Sequence, residues 1–263
     1  MTITSKIYHK NNRITTALLL AAGTGSRLFP LTKDAPKCLT LVNEKSMLDR
    51  LITNLKEQGF KHLIVVTGYK KEAIIDFLGA EKDGLSIEYV HNPIYTTTNN
   101  IYSLWLARTI IKEPFVLFES DLILETSLLD KMMFEDKMAV AKMQNWLNGT
   151  TVSVNKENRI TQFQEGTKET YSDTRYKTVN IYSFSMLSWS KISKKLNQYI
   201  SEGSLNCYYE TVFSQMIDEK SISLEAVYFD DKPWYEIDTV LDLAEAEKLF
   251  PIVKENEFIC SIN

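Results

Sequence analysis

Cysteine is scarce in this chain: three in 263 residues, at Cys38, Cys207 and Cys260. Odd in number and far apart, they suggest neither a disulfide framework nor a metal knuckle, and a reducing, cytoplasmic compartment is expected. Histidine is equally scarce, at His9, His62 and His91. His91 reads as a strand-end residue that packs or caps. Long apolar runs are missing too. The stretch 17–22 is far shorter than the roughly 20 residues a membrane helix needs. No secretion signal or anchor is expected, and residues 1–14 read as an extension before the first strand. Positive charge is not in excess: 30 basic against 34 acidic residues leave a net charge of −4. That argues against nucleic acid or an anionic membrane as the main partner. There is no internal repeat, low-complexity tract or interdomain linker. With 44% hydrophobic and 24% charged residues, the chain has the composition and length of one large α/β domain.

Two phosphate-binding signatures are also absent. No Gly-Lys-Ser/Thr occurs, which excludes a P-loop. A dinucleotide fingerprint fails because position 28 is Leu where a third Gly is needed, and Pro30 interrupts any helix. Present instead is LAAGTGSRLFPLTKDAPKCL, residues 20–39. An apolar strand, 18–22, breaks into Gly23-Thr24-Gly25, with Arg27 and Lys37 following. Such a turn presents backbone N–H groups at the sheet edge, where phosphates bind, and the two cations suit a triphosphate.

Elsewhere, strand and helix patterns alternate. Strands are predicted at 62–67, 86–91 and 115–119. A helix opened by a Ser46/Asp49 capping box runs to Gly59; a second spans 71–78, closed by Gly79; a third spans 101–111, capped by Asn99 or Asn100. The second half is less regular. It reads as a strand at 137–143, a hairpin of 150–154 with 159–163, a polar flap at 165–175, and a strand at 177–184. Helices at 186–200 and 207–219, strands at 223–229 and 233–237, and a closing helix from Thr239 to 249 follow. The expectation is a three-layer α/β/α Rossmann-like fold with a mostly parallel mixed sheet, in a single domain over 15–263. Asp121, in FESD, and Asp238, in WYEID, each stand at a strand end. Each suits a hard cation such as Mg²⁺, or equally a helix N-cap. Glu236 shares a strand face with Asp238 and is a third candidate.

The 20–39 string resembles the LAAGxGxRLxPLTxxxPKxL motif of the sugar-nucleotidyltransferase superfamily, whose members make NDP-activated small molecules. The resemblance extends over about 15–250. It implies that Arg27 and Lys37 are catalytic, and that Ala21, Ala22, Gly23, Thr24, Gly25, Gly68, Asn99 and Asn100 contact the nucleotide. It further implies that Asp121 and Asp238, with Glu236 behind them, hold Mg²⁺. No catalytic histidine is then needed, because a phosphate or phosphonate acceptor is already an anionic nucleophile.

Within that superfamily, NPIYTTTNNIYSLWLAR resembles bacterial phosphocholine cytidylyltransferases, and FESDLILE resembles phosphonate cytidylyltransferases acting on 2-aminoethylphosphonate. The segments WLNGTTVSV, YKTVNIYSFS, CYYETVF and WYEIDTVLDLAEAE resemble the same cluster. The expected partners are CTP, a small phosphate or phosphonate acceptor and, at most, a second copy in a homodimer. The acceptor is expected in the region 143–235. Trp146, Tyr182, Tyr209 and Trp234, with Glu210 or Asp231, would form an aromatic box for a quaternary ammonium; a primary amine would need a carboxylate instead. Two other readings stand beside this one: a sugar-1-phosphate nucleotidyltransferase using UTP or dTTP, and a nucleotide-binding regulatory module without catalysis.

Overall fold

The computed structural model describes residues 13–144, 147, 149–164 and 175–251. Its centre is a parallel block of four strands: β1 (Thr16–Ala21), β2 (His62–Thr67), β3 (Leu85–His91) and β4 (Phe115–Glu119), in the order β4-β1-β2-β3. A short strand follows, β5 (Leu122–Leu124), then β6 (Lys137–Lys142), β7 (Thr151–Val154) and β8 (Ile160–Gln164). The ten-residue β9 (Arg175–Phe184) runs antiparallel to β4, β6 and β7 and extends the sheet beyond the parallel block. β10 (Glu225–Tyr228) adds to β6 in parallel, and β11 (Trp234–Glu236) pairs with β5 outside the main sheet. The result is the expected α/β fold with a mixed sheet whose centre is parallel.

The central strands are apolar at nearly every position because both faces are covered. Successive side chains on a strand point to opposite faces. Ala17, Leu19 and Ala21 of β1 therefore join Leu63 and Val65 of β2 and Val116 and Phe118 of β4 in one core layer. That layer also takes Leu48, Leu51, Ile52 and Leu55 of α1 (Met47–Glu57) and Ile74 and Leu78 of α2 (Lys71–Leu78). The alternate residues Leu18, Leu20, Ile64, Val66, Phe115 and Leu117 face α3 (Asn100–Ala107), α4 (Met186–Ser201) and α5 (Tyr209–Asp218). A small third cluster, including Leu28, Ile123, Tyr235, Ile237 and Ala246, seats α6 (Val240–Leu249) against β11 and the first loop.

Helix ends follow the local chemistry read from the sequence. The Ser46 side chain accepts from the Asp49 N–H, and Asn99 caps α3. Thr239 and Asp242 form a reciprocal capping box on α6. Neither Asp121 nor Asp238 is a cap: Glu125 caps the 3-10 turn at Thr126–Lys131, and Thr239 caps α6. Both aspartates are thereby free for other work. α3 ends at Ala107, four residues short of its predicted end, in a turn that continues to 110. The polar flap expected at 165–175 lies outside the described residues except for Arg175.

One close approach secures the first loop. Tyr69 N–H donates to the Ala22 carbonyl at 3.0 Å, and the Tyr69 hydroxyl donates to the carbonyls of Thr32 and Lys33. A Cβ on Gly68 would lie 2.5 Å from the Ala22 carbonyl oxygen and 2.9 Å from Tyr95 Cβ. Backbone and strand-end atoms offer little give there. Gly68→Ala is expected to lower stability by roughly 1–3 kcal/mol, as overpacking of a tight contact does. Thermal denaturation checks this, and an unchanged Tm would show that the contact relaxes freely.

Candidate active site

At the C-terminal edge of β1 the chain turns through Gly25, which adopts φ +62° and ψ 33°, a left-handed conformation that suits glycine. A Cβ there would meet Lys37 Cβ at 2.8 Å. The Thr32 hydroxyl donates to the Gly25 carbonyl at 3.0 Å, closing the loop on itself. The fully buried Leu28 anchors the 3-10 turn Ser26–Leu28 in the third cluster. That leaves the neighbouring Arg27 side chain 67% exposed, with its guanidinium 2.7 Å from Asp238 Oδ1. Buried Cys38 anchors the second 3-10 turn, Lys37–Leu39, in the main core.

Lys37 is the hub. Its ammonium donates to Asp121 Oδ2 at 2.8 Å and to Asp238 Oδ1 at 2.7 Å. Burial acts to lower its pKa, but the two carboxylates outweigh burial and hold it above its ordinary value, so Lys37 stays charged. The aspartates are brought together by backbone pairing: β5, directly after Asp121, lies antiparallel to β11, and Ile237 N–H donates to the Asp121 carbonyl at 2.9 Å. Asp121 Oδ1 is buried and has no hydrogen-bond partner. Two hard carboxylates with one orphaned oxygen fit a Mg²⁺ ion bound together with phosphate oxygens.

These groups open into a cleft of about 340 Å³. Its glycine-loop end carries Ala22, Gly23, Gly25, Ser26, Arg27 and Lys37, with Asn92, Tyr95, Asn99 and Asn100 beside them. A continuation of about 280 Å³ is walled by Thr150, Lys177, Thr178, Asn180, Tyr208, Glu210 and Glu236. Here the pairing of β9 with β6 shifts register between Thr178 and Tyr182. Asn180 sits in this irregularity at φ +60° and lines both cavities. A bulge that re-aims a side chain into a site accounts for the placement. Lys177, its side chain only 3% exposed, pairs with Glu236 Oε2 at 3.0 Å and donates to the Thr178 carbonyl at 2.9 Å. Glu210, in the first turn of α5, is 7% exposed, and its Oε2 has no hydrogen-bond partner. Burial lifts its pKa from 4.5 to about 7, against hydrogen bonding from its own backbone N–H and from Asn100. Glu119 is pushed well above the usual carboxylate range by burial and by Asp121 and Glu210.

A family model, nucleotidyl transferase, matches residues 16–250. The chain belongs to the nucleotidyl transferase family. The CMP-5′-(3-aminopropyl)phosphonate synthase of Streptomyces rubellomurinus is 26% identical over 253 residues; the match takes in 92% of this nucleotidyltransferase but only 40% of that protein's length. The 2-aminoethylphosphonate cytidylyltransferase of Lancefieldella rimae is 26% identical over 241 residues, covering 89% of this chain and 92% of that one. Among solved structures, the CTP:phosphocholine cytidylyltransferase of Streptococcus pneumoniae superposes with a TM-score of 0.78 at 23% identity, over 91% of this chain and all of that one, and shares the fold. No helix among the described residues is long and apolar enough to cross a membrane.

The structure of this nucleotidyltransferase gathers Ala22, Gly23, Gly25, Arg27, Lys37, Asn99, Asn100, Asp121, Glu210, Glu236 and Asp238 around one cleft. Ala21 belongs to the core, Thr24 is exposed and Gly68 packs on Ala22, and none of the three is among the residues that line the cleft. The expected aromatic box is corrected. Tyr182 and Tyr209 are fully buried: Tyr182 stacks on Phe184, and Tyr209, the first residue of α5, meets the Tyr182 ring edge-on and tilts against Phe213 of the same helix. Trp234 lies in the core layer beside α1. None of these three rings forms a wall of an acceptor box. Glu236 lines the same cleft as Asp121 and Asp238 and is held there by Lys177 Nζ at 3.0 Å and Asn180 Nδ2 at 3.4 Å. Among the described residues no cluster of three or more His, Cys, Asp or Glu is arranged to hold a metal. Trp146 lies outside the described residues. The amide of Asn100 is engaged: Nδ2 donates to Glu119 Oε1 at 3.2 Å, and Oδ1 accepts from Tyr209 N–H at 2.9 Å. Glu119, Lys177 and Asn180 are not among the residues expected at the site. Glu119, two residues before Asp121 in FESD, left a signal in the sequence, and Tyr208 lies in the CYYETVF segment.

The raised pKa of Glu210 makes a stability prediction. Its proton is held more tightly in the folded than in the unfolded chain. Its contribution therefore favours folding below pH 4.5 and is lost as pH rises to about 7. Glu210→Gln removes an ionised, poorly solvated group, so the variant is expected to be more stable than the parent at pH 8, by on the order of 3 kcal/mol. The difference should vanish below pH 4.5. Denaturation curves at pH 4.5 and 8 measure it, and a destabilised variant at pH 8 would refute the argument.

Proposed function

We propose that this protein transfers CMP from CTP to a small acceptor that carries an ionised phosphate or phosphonate together with an amino group, releasing pyrophosphate. The observation that carries this reading is the two-part cleft. A glycine loop with Arg27 and Lys37 suits a triphosphate, and an acid-lined continuation beside Glu210 and Glu236 suits a cationic acceptor. The activities of the Streptomyces and Lancefieldella relatives support the same class of reaction.

An acceptor oxygen attacks the α-phosphorus of CTP and forms the new P–O bond. The bond from the α-phosphorus to its bridging oxygen breaks, and the electron pair departs with pyrophosphate. The attacking oxygen is already anionic, so no base has to remove a proton. The protein's work is to hold two polyanions together and stabilise the charge that grows on the leaving group. Lys37, kept charged by its two aspartates, and the guanidinium of exposed Arg27 do this with the loop N–H groups. Asp121 and Asp238 would hold Mg²⁺, which when bound neutralises phosphate charge. Asn99 stands at the cleft wall with an amide that can complement a pyrimidine edge.

With Mg²⁺ present, pyrophosphate release is expected with CTP and an amino-alcohol phosphate or aminophosphonate, and at least tenfold less with UTP. Glucose-1-phosphate turnover with UTP or dTTP would move the protein to the sugar-phosphate class. Asp121→Asn is expected to lower kcat by about a hundredfold or more while leaving the circular dichroism spectrum unchanged. Near-normal rates in that variant would remove Asp121 from the chemistry.

A further inference from the structure

Glu210 presents an unfilled requirement. It is buried, it lines both the nucleotide cleft and its continuation, and its Oε2 accepts no hydrogen bond. A carboxylate oxygen withdrawn from water without a donor is destabilising, and the arrival of a donor offsets that penalty. The neighbouring cations are already engaged. Lys177 is paired with Glu236 and the Thr178 carbonyl, Lys37 lies between Asp121 and Asp238, and Arg27, which lines both cavities too, is paired with Asp238. A neutral donor would leave an ionised Glu210 without a counter-charge. The group that completes this wall must bring both a positive charge and an N–H.

A quaternary ammonium brings only the charge. It is held by ring faces, and the rings of Tyr182, Tyr209 and Trp234 are packed in the core. Among the described residues, Tyr208 is the one aromatic side chain lining the continuation. A primary ammonium donates directly to a carboxylate, in a charge-assisted hydrogen bond about twice as strong as a neutral one.

We infer that Glu210 selects acceptors whose ammonium carries an N–H, so that primary amines are preferred over trimethylammonium compounds. This rests on the reading of the cleft as a cytidylyl-transfer site. Glu210 touches the substrate's amino end, away from the reacting phosphorus, and therefore governs acceptor affinity and choice.

The test is a methylation series. Phosphoethanolamine and 2-aminoethylphosphonate, each unmethylated and with one, two and three N-methyl groups, are assayed with CTP by pyrophosphate release. The preferred parent compound is expected to exceed its trimethyl derivative by about 10- to 100-fold in kcat/KM, mainly through KM. The steepest step should fall between the dimethyl compound, which retains one N–H, and the trimethyl compound, which has none. Glu210→Gln keeps an acceptor oxygen but loses the charge; it should narrow the preference to a few-fold. Glu210→Asp, which keeps the carboxylate, should retain the order of preference. Equal or better turnover of the trimethyl compounds overturns the inference and leaves cytidylyl transfer standing. So does a smooth decline with each methyl that Glu210→Gln does not change, because that is the signature of size alone. Absence of CTP-dependent pyrophosphate release with every member overturns the functional reading, and this inference with it.

Discussion

Lys37 lies between two carboxylates that reach it from distant parts of the chain, and the arrangement of the cleft depends on that contact. Asp121 ends the strand next to β1, and Asp238 precedes the last helix. The Ile237 N–H to Asp121 carbonyl bond, continued by the β5–β11 pairing, sets their separation. The glycine loop is tied to the same point, since Gly25 packs directly on Lys37 and Arg27 reaches Asp238. Removing Lys37 would leave the partly buried Asp121 without its cationic partner, which costs more than the pair contributes. The contact is therefore also a constraint: the loop cannot be repositioned without reorganising both acids.

The sheet makes this economy of positions available. Its parallel centre sends β1, β2, β3 and β4 out at one edge, so the loops that follow them converge. The antiparallel β9 then brings Lys177 and Asn180 to the same region from the second half of the chain. Each half thus contributes one end of the cleft, with the glycine loop from the first and the acid-lined continuation from the second.

That continuation runs against stability. Glu119, Glu210 and Glu236 all have raised pKa values, with burial the largest cause in each case. The hydroxyls of Tyr182 and Tyr209 are buried beside them without a hydrogen bond of standard geometry. A domain with an extensive two-layer core can carry such a cluster, and strained or poorly satisfied polar groups collect where ligands bind.

Much of this was legible in the sequence. The strands of the parallel block, the caps at Ser46, Asn99 and Thr239 and the stop at Gly79 follow from short-range chemistry, which acts within a few residues and leaves its mark there. The glycine loop with Arg27 and Lys37 was readable for the same reason. The tertiary structure alone decided which aromatic residues reach the cleft. Alternation along β9 says that Tyr182 and Phe184 share a face, but only the packing of α5 over that face shows that both are core. The bulge that turns Asn180 into the cleft has no local signature, because it arises from the mismatch between β9 and β6. The engagement of Glu236 by Lys177, and the burial of Glu210 Oε2 without a hydrogen-bond partner, are likewise products of chain segments meeting in space. Burial and pairing depend on neighbours far away in sequence, so the chain by itself specified the loop and its chemistry, and the fold assigned the partners.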